Sequence, residues 1–140
     1  MSQWTHVAGC IRYDAFAEDL PAKKILGKPF GFNDYPDNPE DRGIPYGSEG
    51  SIQYSVYTNP DESCLARHTV SIWGDLRNFG VEDVDSIRNW FEKATSAEAT
   101  LLLVRDAILE INIEFKNEMI VLVYTDSGIK ELVVPYTPAD

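Results

Sequence analysis

The chain contains 140 residues, and its 12 basic against 23 acidic side chains give a formal net charge of −11. A charge of this size repels nucleic-acid phosphates and anionic lipid, so the sequence predicts neither a DNA partner nor a membrane partner. A chain of this length can bury enough surface to fold without disulfides or metal, which predicts a single domain over residues 1–140.

In chain order, the first element predicted is a strand over Trp4–Tyr13, where apolar and polar residues alternate. Weak helical patterns follow at Ala15–Leu20 and Ala22–Leu26, and Pro21 separates them. Residues at about 27–50 are rich in proline and glycine and predict a long irregular loop. A loop of this length inside a small domain is usually functional or mobile.

The middle of the chain predicts a hairpin followed by a helix. Alternation over Ile52–Thr58 and Thr69–Trp73 indicates two strands, the second ended by Gly74 and Asp75. The segment Val81–Phe91 has apolar residues at helical spacing and acidic residues in its first turn, where they favour the helix dipole. This segment is the strongest helix prediction in the chain.

Three more strands are predicted towards the C-terminus. They cover Leu109–Phe115, Met119–Tyr124 and Ile129–Val134, and the last two flank a hairpin turn at Asp126-Ser127-Gly128. Residues Leu101–Asp106 fit either another strand or the end of a helix, because good helix formers precede them.

This order of elements predicts an α+β fold: an antiparallel sheet backed by helices, ferredoxin-like (a split βαβ unit), with an added C-terminal hairpin. One sheet face would pack against helices, with Gly9 allowing a helix to approach closely. That face comprises Val7, Gly9, Ile11, Ile52, Tyr54, Val56, Val70 and Ile72. The opposite face is open, polar and aromatic, and comprises His6, Cys10, Arg12, Gln53, Ser55, Tyr57, Ser71 and Trp73. An exposed aromatic face predicts a homo-oligomer.

A candidate ligand site is predicted on the open face and at its ends. Arginine beside aromatic side chains can hold a planar anion by stacking and charge, which selects Arg12 with Tyr57 and Trp73. Arg77 can offer a guanidinium, or it can pair with Asp75 to order a turn. The glycine-flanked loop before the second strand can present an anion nest with Ser48 and Ser51, or be a plain turn. Because antiparallel neighbours run in opposite directions, Arg12 is expected near Thr69 and Arg77 near Trp4, which gives two anchor points.

No catalytic constellation, metal site or cofactor motif is visible, so we expect a protein that is not an enzyme. His6 and His68 have no carboxylate or thiol at a fixed spacing. Cys10 and Cys64 lie far apart, and reduced thiols in the cytoplasm are expected, with a reactive role for either left open. The acidic residues between positions 33 and 62 are typical of a solvated loop, or of a surface that faces a basic partner.

Three segments, Trp4–Gly9, Gly47–Ser51 and Ser71–Arg77, resemble a family of small bacteriophage-encoded accessory proteins without an assigned activity. The resemblance implies a phage counter-defence factor acting in the cytoplasm of the host bacterium. We therefore expect a non-catalytic binding protein that sequesters a small anionic, nucleotide-like ligand. The alternative is an acidic protein inhibitor that binds a basic host defence protein.

Overall fold

The computed structural model describes residues 3–15, 44–59, 66–96 and 103–135. These residues form one antiparallel sheet, in which the strands lie side by side in the order β2-β3-β1-β4-β5-β6. The strands are β1 (Trp4–Ala15), β2 (Gln53–Asn59), β3 (Ala66–Arg77), β4 (Leu103–Ile113), β5 (Glu118–Thr125) and β6 (Gly128–Pro135). A 3₁₀ turn at Val81–Asp83 leads into the helix α1 (Val84–Ala94).

The predicted fold class is wrong. The described residues form a sheet-dominated structure with six antiparallel strands and one short helix, not a ferredoxin-like sheet backed by helices. Long strands are one reason, since β1 and β3 have 12 residues each and the C-terminal hairpin continues the same sheet. Of the predicted N-terminal helices, Ala15 ends β1, and the remainder of Ala15–Leu20 and all of Ala22–Leu26 lie outside the described residues.

The assignment of residues to the two faces of the sheet is confirmed by burial. Alternate residues of β1, β3 and β4 are buried on the face that packs against α1, among them Ile11, Val70 and Leu109. The registers of β1 with β3 are also as expected, because Arg12 lies opposite Thr69 and Trp4 lies opposite Arg77. A period of two in side-chain direction explains the two faces, and the antiparallel pairing of β1 with β3 explains which ends of the two strands meet.

Helix α1 forms where the sequence predicts it, with a different start. Its buried face consists of Val84, Ile87, Trp90, Phe91 and Ala94. Val81 belongs to the 3₁₀ turn and is exposed, although its spacing in the sequence predicts a place on the apolar face of the helix. The helix ends at Ala94, whose carbonyl accepts a hydrogen bond from the Tyr13 hydroxyl of β1. Among the described residues, no helix is both long and apolar enough to cross a membrane.

Several strands and loops have bounds that differ from those predicted from the sequence. Strand β3 continues through Gly74 to Arg77, because the glycine lets the backbone of residues 51 and 52 pass within about 3 Å of where a Cβ would lie. The sequence allows residues Leu101–Asp106 to be either a strand or the end of a helix. Residues 103–106 belong to strand β4. Phe115 is not in a strand, since it turns out of β4 with a φ of 68°. Of the predicted 27–50 loop, only residues 44–50 are described, and they contain no helix or strand.

Gly9 serves a different purpose from the one predicted. A Cβ at this position would lie 2.1 Å from the carbonyl oxygen of Ile108 and 2.9 Å from the Cα of Leu109, both on β4. The missing side chain therefore allows a neighbouring strand, and not a helix, to approach β1 closely.

His68 is a buried polar group on the core face of β3. Its Nδ1 lies 2.9 Å from the Thr58 hydroxyl, and its Nε2 is buried with no hydrogen-bond partner among the described residues. Burial lowers the pKa of His68 below its ordinary value, and the nearby Asp14 carboxylate opposes the shift only in part. The neutral imidazole is therefore the form that the fold stabilises.

We expect acid to destabilise the protein through His68. A lowered pKa in the folded state means that the unfolded chain binds the extra proton first, so stability falls as pH drops below the unfolded value of about 6.5. Urea unfolding at about pH 7.5 and about pH 5.5 should show a larger loss for the wild type than for His68→Phe, which has no titrating group there. Equal losses in the two proteins would contradict this role of His68.

A candidate binding face on the open side of the sheet

The open face of the sheet carries a large exposed aromatic side chain on β3, the strand next to the edge strand β2. Trp73 on β3 is 47% exposed, and its cross-strand neighbours are Gln53 on β2 and Ala8 on β1. Both neighbours are exposed, and Ala8 is too small to cover an indole ring. The ring is thus carried by a strand that is paired on both sides, and it is presented to the solvent. Helix α1 packs on the opposite face, so no described helix shields it.

Two exposed carboxylates flank Trp73 on the same face. Asp75 lies two residues further along β3, and Glu110 lies opposite Ala8 on β4, two strands from Trp73 in the same cross-strand row. Both side chains are exposed. Because alternate residues of a strand point to one face, Asp75 and Glu110 share the face of Trp73. An aromatic ring that shares a face with two carboxylates is suited to a cation, which the ring attracts through its quadrupole and the carboxylates attract by charge.

His6, on the same face, contacts two carboxylates. Its Nδ1 lies 2.5 Å from Asp75 Oδ1, and its Nε2 lies 3.4 Å from Glu114 Oε1. The register explains the first contact, because His6 lies directly opposite Asp75. Both pairs lie at least partly in solvent, where such contacts contribute little stability. Their effect is to fix the orientation of the Asp75 carboxylate beside Trp73.

Arg77 and the Gly47–Ser51 loop form the first of the two expected anchor points. The Arg77 guanidinium lies 2.6 Å from the Glu49 carboxylate, and the Arg77 main chain bonds to Ser48 and Glu49. Gly47 is required here, because a Cβ would lie 2.4 Å from the Arg77 carbonyl oxygen. The N–H groups of Gly47 and Ser48 donate to the carbonyls of Gly50 and Arg77, so they are already occupied. An anion nest needs such groups free.

Arg12 and Tyr57 form the second anchor point, at the other end of the sheet. They lie on either side of Thr69 in one cross-strand row. The Arg12 guanidinium binds both oxygens of Asp106, at 2.8 and 2.9 Å. This hydrogen-bonded carboxylate raises the pKa of Arg12 further above its ordinary value. An incoming anion would have to displace Asp106, just as an anion at Arg77 would have to displace Glu49.

The structure therefore brings the predicted residues together in two groups. Ser48 lies against Arg77, and Ser51 is close in the same loop, where its hydroxyl accepts a hydrogen bond from the Gln53 amide. Arg12 and Tyr57 form the other group, and Trp73 lies between the two. Sequence reasoning had not included Asp75, Glu110 or Glu114 in the site. The alternation of β4 was enough to place Glu110 on the open face, but its strand partner could not be known.

The comparisons with known proteins give no information on the function of this face. Among the described residues, no group of three or more His, Cys, Asp or Glu side chains could hold a metal ion. Cys10 is half-buried on the open face as a free thiol, and Cys64 lies outside the described residues. Searches of family models, curated proteins and solved structures found no match to this chain.

Proposed function

We propose that this chain is a binding protein whose open sheet face, centred on Trp73, binds a basic surface of another protein. The observation that carries the proposal is a half-exposed tryptophan on an interior strand of the sheet, with two exposed carboxylates, Asp75 and Glu110, on the same face. Tryptophan is enriched among the few residues that supply most of the binding energy of a protein interface. The partner would place a Lys or Arg side chain over the indole ring.

The shape of the face favours a protein partner over a small ligand. Small molecules bind in concave clefts that enclose most of their surface, whereas a sheet face is broad and shallow. The two arginines that would hold a small anion, Arg12 and Arg77, already bind carboxylates of this chain. Sequestration of a small anionic ligand therefore stays a prediction, and it is the less favoured one.

Net charge supports the same choice of partner. A chain of charge −11 attracts basic surfaces at long range and accelerates its encounter with them. The counter-defence role follows only from the resemblance of three segments to phage accessory proteins. In that role, the basic partner would be a host defence protein.

The proposal is tested by capture with matched variants. Wild type, Trp73→Ala and Phe115→Ala are immobilised and exposed to a bacterial lysate, and bound proteins are identified by mass spectrometry. Phe115 is 70% exposed in the turn after β4, so its truncation removes a comparable aromatic side chain away from the centre of the face. We expect a basic protein to bind wild type and Phe115→Ala, and to lose affinity for Trp73→Ala by about 2 kcal/mol, or about thirtyfold.

The captured protein is then purified and its affinity measured at low and high salt. Binding should weaken as salt rises, since the Debye length falls from about 10 Å at 0.1 M to about 3 Å at 1 M. Equal binding to all three proteins, or a captured partner of acidic charge, would overturn the proposal.

A further inference from the structure

The two edges of the sheet differ in how they are protected. An edge strand presents unpaired N–H and C=O groups, and monomeric proteins usually blunt it with charges, proline, a bulge or a covering element. Strand β2 forms one edge, and its exposed residues include the polar Gln53, Ser55 and Thr58 and the aromatic Tyr57. Strand β6 forms the other edge and, in the part of the chain that the structure describes, is hydrogen-bonded to β5 alone.

Strand β6 has an exposed apolar segment that lies between its charged residues, Lys130 and Glu131, and Pro135. Leu132, Val133 and Val134 are consecutive, and Val133 is 55% exposed. Leu132 and Val134 point to the open face, because Leu132 lies opposite Val121, which lies opposite Glu110. Val133 points to the other face. Pairing with β5 runs over all eight residues of β6 without a register shift, so no bulge protects this edge.

We propose that β6 pairs antiparallel with β6 of a second copy of this chain, which extends the six-stranded sheet across a two-fold axis. The occupant must be an extended strand, since only a strand supplies a ladder of main-chain donors and acceptors. The sequence of β6 selects its own copy. With Val133 opposite Val133 of the second copy, Leu132 lies opposite Val134, and each exposed apolar residue meets another.

Charge disfavours three competing alignments of the two β6 strands. Two-fold antiparallel pairing keeps each residue on its own face, so the centre must fall on a residue. Centring on Glu131 places like carboxylates opposite each other, and centring on Lys130 does the same with ammonium groups. Centring on Leu132 places Val133 opposite Glu131 and Val134 opposite Lys130. Centring on Val134 keeps the charges outside the apolar contact, but it places Val133 opposite Pro135 and so pairs fewer of the exposed apolar residues with one another. The Val133-centred alignment pairs all three, and it leaves Glu131 free to keep its ion pair with Arg88.

Pairing about an axis perpendicular to the sheet has a consequence for the open face. Both copies would present Trp73 on the same side of one continuous sheet. The dimer would thereby hold two copies of the proposed binding face side by side, although the pairing itself does not depend on what that face binds.

The test is the oligomeric state of the full chain by sedimentation equilibrium at micromolar concentrations. Wild type is compared with Val133→Glu and with Val81→Glu, a matched control in which a valine of equal exposure receives the same charge in the 3₁₀ turn. We expect wild type and Val81→Glu to dimerise, and Val133→Glu to raise the dimer dissociation constant by at least about tenfold. Circular dichroism checks that each variant is folded.

Salt and cross-linking complete the test. Because the two copies carry the same charge of −11, salt should strengthen the dimer, whereas it should weaken binding of a basic partner. In a Cys10→Ser, Cys64→Ser background, Val133→Cys should form a disulfide dimer on mild oxidation and Val81→Cys should not, because directly opposite strand positions bring Cβ atoms close enough. A monomeric wild type, a dimer unaffected by Val133→Glu, or equal cross-linking of the two cysteine variants would overturn the proposal.

Discussion

Phe91→Ala should lower the free energy of unfolding by about 3 to 5 kcal/mol, as expected for truncation of a fully buried aromatic side chain. Phe91 has no exposed surface and lies on the buried face of α1 against the sheet. Because α1 is the one helix that the structure describes against the core, few neighbouring elements can move in to close the cavity. Urea unfolding monitored by circular dichroism measures the change.

The same substitution at Phe115 is the control for that experiment. Phe115 is exposed, and substitutions at such positions usually change stability by no more than about 0.5 kcal/mol. A loss of less than about 1 kcal/mol for Phe91→Ala would mean that α1 does not pack on the sheet as described.

Gly9→Ala should destabilise the protein by about 3 kcal/mol, at the upper end of the range for overpacking. A single methyl group would meet the main chain of β4, at 2.1 Å from the Ile108 carbonyl oxygen, and a main chain within a sheet cannot rotate away as a side chain can. Strand β1 lies between β3 and β4, so any shift disturbs two ladders of hydrogen bonds.

Thermal or urea unfolding of Gly9→Ala is compared with that of Ala8→Ser, which enlarges the neighbouring, exposed residue. Ala8 faces the open side of the sheet, and its replacement should be nearly neutral. If both variants unfold at the wild-type midpoint, β1 and β4 do not approach as closely as the structure places them.

Alternation predicted local structure well in this chain. The buried positions of β1 and β3, such as Ile11 and Val70, follow from a period of two, as do the exposed positions of Arg12 and Trp73. The pairing of β1 with β3, which brings Arg12 to Thr69 and His6 to Asp75, is expected from the ferredoxin-like topology, in which the first and third strands are antiparallel neighbours. The burial pattern depends only on covalent geometry and on which side of a strand is apolar.

Fold class and the detail of the site could not be predicted in the same way. Whether the C-terminal hairpin continues the sheet depends on the contact of β5 with β4, and no local pattern encodes it. The partners of the arginines are also distant in sequence: Arg12 meets Asp106 and Arg77 meets Glu49. From the sequence alone, each arginine is therefore a candidate for binding an anion. In the folded structure, long-range pairing places a carboxylate beside it.

Fold and proposed function are linked through the two faces of the sheet. Burial of one face against α1 orders the main chain that carries the exposed Trp73 before a partner binds, which lowers the entropic cost of binding. The contact of His6 with Asp75 likewise fixes the orientation of the Asp75 carboxylate near Trp73. A face ordered in this way before binding favours affinity for a partner of matching charge.

Oxidative footprinting of the tryptophans, with and without the captured basic partner, tests the central claim most directly. In the free protein, Trp73 should be oxidised readily and the buried Trp90 should be protected. With saturating partner, the account predicts that the oxidation rate of Trp73 falls towards that of Trp90, while the rate at exposed Phe115 stays unchanged. Oxidation of Trp73 at the same rate in the free and bound protein would show that the partner binds elsewhere, and would contradict the account.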